Sequence, residues 1–221
     1  MKMQEAVVNI GGLNAIAVGD PDATTVVVVL HGREMSGSDL APFAHSLNVP
    51  AYFVFPDAPL AVARGRTWWP VDSEARLRRL SKGPMDLLAM DPPGRAEARG
   101  QLDALLGQFG SRRRILVGFS QGGMLAMDFV LHGGRVDALA LLSSTRIAFA
   151  DWQSRLPVLA GLPVLLAHGR ADAELSFAAG EGLRDAASAG GADVTWLPFE
   201  GGHEIPLVVW RGLRHFLQRL T

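Results

Sequence analysis

Five consecutive apolar residues, Val26-Val27-Val28-Val29-Leu30, restrict the fold more than any other stretch of the chain. A strand with one wet face alternates polar and apolar side chains. A run without alternation is buried on both faces, as strands are inside a mostly parallel sheet. Similar runs return at Ala51–Phe55, Ile115–Val117, Ala138–Leu142 and Pro163–Ala167, and Asp193–Leu197 reads as a last strand. Ahead of them, Ala6–Ile10 and Leu13–Val18 flank Gly11-Gly12, the pattern of an opening hairpin.

Helix-like segments lie between the runs. Leu40–Leu47 follows Ser38-Asp39, read as its cap, and Ala96–Phe109 carries Leu102, Leu105, Leu106 and Phe109 at helical spacing. Met124–Leu131 is apolar on most sides and stops at Gly133-Gly134; Phe177–Ala189 and Val208–Leu220 complete the set. Strands alternating with helices predict an α/β fold, with a mostly parallel central sheet and helices on both faces. The 221 residues suit one domain spanning 1–221. Two stretches, Pro56–Pro93 and Thr145–Leu162, fit neither pattern. Insertions of that kind commonly cover or shape a site.

Charge and composition narrow the function classes. The 21 Lys+Arg and 22 Asp+Glu leave a formal net charge of −1, which argues against nucleic acid or an anionic membrane as the main partner. The chain has no cysteine, so disulfides, thiolate catalysis and Cys-ligated zinc or iron–sulfur clusters are excluded. Met1–Glu5 lacks the basic-then-apolar order of a signal peptide, and no apolar run approaches the roughly 20 residues needed to span a bilayer. The expectation is a cytoplasmic protein without stable membrane insertion.

The chemistry centres on Gly118-Phe119-Ser120-Gln121-Gly122-Gly123. As a bare string Gly-x-Ser-x-Gly persuades weakly, but here Ile115-Leu116-Val117 precedes it and the Met124–Leu131 helix follows. A turn that tight forces the serine into an uncommon backbone conformation and needs small neighbours. The bland alternative is a serine that only caps the helix. Serine is a poor nucleophile alone, so a base and an orienting acid are required. His203 lies in a glycine-rich loop between the last strand and the last helix. Such a histidine is more often merely solvated; its place behind a nucleophile elbow reverses that. Asp172 follows the Pro163–Ala167 strand and is the acid that fits, with Glu174 as a nearby rival. Ser120, Asp172 and His203 run in the chain order of the α/β-hydrolases. An oxyanion hole is expected from the Gln121 amide and from the Arg33 amide in His31-Gly32-Arg33-Glu34. His31 and His168 end strands and read as structural.

Together Leu30-His31-Gly32, the Gly-Phe-Ser-Gln-Gly-Gly block, His168-Gly169 with Asp172, and Gly201-Gly202-His203 resemble the phospholipase/carboxylesterase family of α/β-hydrolases. The resemblance runs over about residues 26–220. It implies an α/β-hydrolase fold with little or no cap domain, no metal and no cofactor. The implied activity is hydrolysis of small-molecule carboxylic esters or thioesters, lysophospholipids included, by a serine hydrolase through an acyl-enzyme. Catalytic roles then fall on Ser120, Asp172 and His203. Many members carry glycine where this chain has Glu34. Apolar residues expected near the cleft are Trp68, Trp69, Phe149, Trp152, Leu175 and Ile205, each equally able to be core. Exposed apolar segments around Trp68 would suit a homodimer. The alternatives are another serine hydrolase such as a peptidase, or a non-catalytic hydrolase-fold binding protein.

Overall fold

The computed structural model describes residues 4–221; Met1–Met3, where the reading of the chain start begins, lie outside the described residues. The chain opens with the hairpin β1 (Glu5–Ile10) and β2 (Leu13–Val18), followed by β3 (Thr25–Leu30). Two one-turn helices, α1 (Gly37–Leu40) and α2 (Ala44–Leu47), lead into β4 (Tyr52–Pro56). A short ribbon, β5 (Leu60–Ala61) and β6 (Arg66–Thr67), precedes α3 (Ser73–Leu80) and α4 (Arg95–Gly107). Then come β7 (Arg113–Phe119), α5 (Gln121–Leu131), β8 (Ala138–Leu142), α6 (Phe149–Trp152), β9 (Pro163–Gly169), α7 (Phe177–Ala189), β10 (Asp193–Phe199) and α8 (Leu207–Gln218).

Eight strands form one sheet in the order β1-β2-β4-β3-β7-β8-β9-β10. The β1–β2 and β2–β4 pairs are antiparallel, and every pairing from β4 onward is parallel. This is the mostly parallel sheet expected from the recurring apolar runs, and it agrees with the α/β-hydrolase fold that the family resemblance implies. All six residues of β3 are buried. Its pleat sends Val26, Val28 and Leu30 into one core with Leu102, Leu106, Leu125 and Leu183, while Val27 and Val29 join Leu40, Phe53, Leu213 and Phe216 on the other face. Two hydrophobic layers clamp the sheet, and its loops are left to carry chemistry.

The first helical stretch departs from expectation. Ser36, not Ser38-Asp39, is the cap, its backbone N–H bonding the Asp39 carboxylate at 2.7 Å. The helix breaks into two single turns joined by a 3₁₀ turn at Ala41–Phe43, because Pro42 has no N–H for a continuous ladder. Pro56–Pro93 holds the ribbon and α3, and Thr145–Leu162 holds α6 and a 3₁₀ turn.

Candidate active site

Six connections leave the C-terminal ends of the parallel strands β3, β4, β7, β8, β9 and β10 on one edge of the sheet. Ser120 forms the turn between β7 and α5, with φ 52° and ψ −115°. A side chain at Gly118 would strike the Gly122 carbonyl, and one at Gly122 would lie 2.5 Å from the Leu30 carbonyl oxygen. Only glycine lets β3, β7 and α5 come this close, and that closeness drives the serine into its left-handed backbone. The Ser120 N–H donates to the Leu142 carbonyl at 2.9 Å and Ser144 Oγ to the Ser120 carbonyl at 3.1 Å, anchoring the turn to the end of β8.

His203 sits in the loop between β10 and α8. Its Nε2 lies 2.9 Å from Ser120 Oγ and its Nδ1 2.7 Å from Asp172 Oδ2. Asp172 is buried in the loop after β9, where its Oδ1 accepts the Glu174 and Leu175 amides at 2.8 and 2.9 Å. Burial pushes its carboxyl up, but the His203 imidazole and those two amides outweigh burial and hold it below its usual value. An ionised Asp172 takes the Nδ1 proton of His203 as its hydrogen-bond donor and leaves the Nε2 lone pair facing the serine hydroxyl. Glu174, the rival acid, points elsewhere and pairs with Arg76 of α3.

The histidine and acid loops are tied together: the Arg170 N–H donates to Phe199 O and the Ala171 N–H to Gly201 O, each at 2.9 Å. His168 is buried, and its Nε2 donates to the Leu175 carbonyl at 3.0 Å. His31 is also buried. Its Nε2 accepts the Ala58 N–H at 3.0 Å, so the proton resides on Nδ1, which donates to the Gly32 carbonyl at 2.7 Å. A side chain at Gly32 would come within 3.3 Å of Ser120 Cβ, so the His31–Glu34 loop lies against the serine. Among the described residues, neither the Arg33 nor the Gln121 amide donates to a protein acceptor.

A cavity of about 670 Å³ opens over Ser120 and His203. Trp69, Met85, Leu87, Met124 and Leu175 form its apolar walls, and Arg76 and Glu174 lie at its rim. Trp69 and Leu175 thus reach the cleft as expected. The other four apolar candidates do not line it. Trp152 is fully buried with its Nε1 donating to Asp128 at 2.6 Å, and Phe149 packs beside that core under Arg146. Ile205 packs on the opposite face of the sheet. Trp68 is buried behind the cleft, so it offers no exposed surface to a second copy either. Residues not singled out from the sequence include Met35, Val71, Met90 and α3 itself. For Val71, Met90 and α3 the signal was the proline-rich insertion Pro56–Pro93, which covers the site; Met35 lies in the loop after β3 and carried none. Ser143 was also missed; its Oγ donates to the Glu204 carbonyl at 3.3 Å beneath the histidine loop.

A larger depression of about 910 Å³ lies at the other end of the strands, bounded by Thr24-Thr25, Arg112–Arg114 and Gly133–Asp137. It holds none of the three assembled residues, so size alone would misplace the site. Asp128, His132 and Asp151 lie close enough to share a cation. The Asp128 carboxylate already accepts Arg95 and Arg99, both at 2.5 Å, and two guanidinium groups there oppose a metal ion. No helix among the described residues is long and apolar enough to cross a membrane.

The sequence pattern of a family described as phospholipase/carboxylesterase matches residues 99–221, more than half the chain and the part that holds Ser120, Asp172 and His203. Among solved structures, esterase PE8 is 26% identical, with full coverage of both chains and a TM-score of 0.75. A carboxylesterase from Mesorhizobium loti is 18% identical over 96% of this chain and 98% of that one, also at 0.75. Acyl-protein thioesterase 2 from Zea mays is 19% identical over 93% and 97%, again at 0.75. No curated protein matches the chain.

Proposed function

The chain belongs to the phospholipase/carboxylesterase family, and from that premise we propose that it is a serine carboxylic-ester hydrolase in which Ser120, His203 and Asp172 carry the chemistry. One observation supports this reading above the rest: an unbroken hydrogen-bonded line from the buried Asp172 through both His203 nitrogens to the Ser120 hydroxyl, which opens into an apolar cleft. The whole chain acts as one hydrolase domain.

In the proposed reaction Ser120 Oγ attacks the ester carbonyl carbon while His203 Nε2 takes the hydroxyl proton. The carbonyl π pair becomes an oxyanion held by the Arg33 and Gln121 amides. As it re-forms the carbonyl, the alcohol or thiol leaves with the proton from His203. Water then attacks the acyl carbonyl carbon as its proton passes to His203, and that proton moves on to Ser120 Oγ as the serine–acyl bond breaks, releasing the carboxylic acid and free Ser120. The cleft walls Trp69, Met85, Met124 and Leu175 take the apolar part of the substrate.

A fluorophosphonate tests the reading directly, since it forms a stable bond to an activated serine. The parent is expected to be labelled at Ser120, and Ser120→Ala to lose both labelling and hydrolysis of p-nitrophenyl acetate, with kcat down by on the order of 10⁶. An Ser120→Ala protein that hydrolyses at the parental rate ends the proposal. A panel of p-nitrophenyl esters from acetate to palmitate, beside matching thioesters, then defines the acyl group and the leaving atom.

A further inference from the structure

Among the described residues, Arg66-Thr67-Trp68 is the one segment that bonds to both loops carrying the proposed oxyanion donors. On one side the Glu34 N–H donates to the Arg66 carbonyl at 2.8 Å, and the Arg66 N–H returns to the Met35 carbonyl at 2.9 Å. Trp68 Nε1 donates to the His31 carbonyl at 2.9 Å. On the other side the Trp68 backbone N–H donates to Gln121 Oε1 at 3.0 Å. Thr67 Oγ1 lies 3.0 Å from the same Gln121 oxygen and 2.9 Å from the Trp69 carbonyl, so its single proton serves one of them at a time.

We propose that Arg66–Trp68 is a brace that sets the separation of the Arg33 and Gln121 amides, with the Trp68 indole and the Gln121 side chain as positioning residues. The proposal rests on the serine-hydrolase reading above. Two features indicate that the oxyanion loop is held rather than relaxed. Glu34 adopts φ 64°, a region that disfavours side chains. Its two neighbouring ladder bonds both come from Arg66, which Gly65 brings close: a side chain at Gly65 would lie 2.5 Å from the Glu34 carbonyl oxygen. Gln121 is also an unusual helix-start residue here. It is nearly fully buried and spends its carbonyl on Trp68, while its Nε2 has no partner among the described residues. A buried amide left half-satisfied is costly. That cost is explicable if the other half holds the elbow to the brace. Trp68, an expected substrate contact, thereby gains a different task behind the cleft.

The test uses Trp68→Phe, which keeps an aromatic ring at the site but removes the indole donor, and Gln121→Met, which keeps the backbone amide but removes the side-chain acceptor. Each is assayed on p-nitrophenyl acetate and against a trifluoromethyl ketone. Addition of Ser120 Oγ to that ketone turns its carbonyl oxygen into an oxyanion in the same hole. A small displacement of a donor predicts a fall in kcat on the order of 10-fold, with KM nearly unchanged. The inhibition constant of the ketone should rise by the same factor. Loss of kcat without weakened ketone binding overturns the brace, as does parental behaviour of both variants. If Trp68→Phe does not fold, Gln121→Met decides by the same two readouts. Ser120→Ala run alongside separates the two ideas. Parental activity there sinks the hydrolase reading and the brace together. An inactive Ser120→Ala beside unaffected Trp68→Phe and Gln121→Met sinks the brace alone.

Discussion

A single proton position carries the proposed chemistry. With Asp172 ionised, the His203 proton lies on Nδ1 and Nε2 is free to accept from Ser120. Asp172→Asn keeps the shape but favours the wrong tautomer, so kcat is expected to drop by roughly 10⁴ while the fold persists. Steady-state kinetics with a thermal melt check both halves. At this scale the sequence was legible where backbone context constrained a residue. Ser120 and Asp172 follow buried strands and His203 follows the half-buried edge strand β10, and the structure brings both Ser120 and Asp172 within hydrogen-bonding distance of His203. Side-chain direction was not legible. Trp152 and Trp69 look alike in sequence, yet one points at Asp128 in the core and the other into the cleft.

Elements position the site through close backbone approach. At Gly122 an added Cβ would meet the Leu30 and His31 carbonyl oxygens at 2.5 and 2.7 Å, and neither strand end can yield without moving the elbow. Gly122→Ala is therefore expected to lower stability by about 1–3 kcal/mol and to slow labelling of Ser120. Urea denaturation and probe kinetics measure the two effects; an unchanged urea midpoint would show that the turn is looser than drawn. Strands were the readable elements because burial on both faces writes itself as uninterrupted apolar runs. The covering segment was unreadable for the opposite reason. α3 buries none of its residues, and its place over the cleft depends on the Arg76–Glu174 ion pair and on the Met85 N–H donating to Glu174 O at 2.8 Å. Such partners lie some ninety residues away and leave no local pattern.

Over the whole molecule, two buried imidazoles tie the fold to pH. Burial is the main cause that pushes both His31 and His168 below 6.5, and their hydrogen bonds only partly oppose it. The unfolded chain then binds more protons than the folded one in mild acid. Stability from these rings is complete above about pH 6.5 and is lost as pH falls below it. The slope is at most about 1.4 kcal/mol per pH unit for each ring. The urea midpoint should thus be lower at about pH 5.5 than at about pH 7.5, and less so in His168→Asn. Equal midpoints in the parent would refute the linkage.

By itself the sequence determined the parallel sheet, the chain order of the proposed nucleophile, acid and histidine, and the family, because each is recorded in short apolar runs and local motifs. Only the tertiary structure decided which aromatics face the cleft, what covers it, and how Arg66–Trp68 joins two distant loops. Those outcomes depend on contacts between segments whose separation is set by packing across the sheet, and no local spacing encodes that distance.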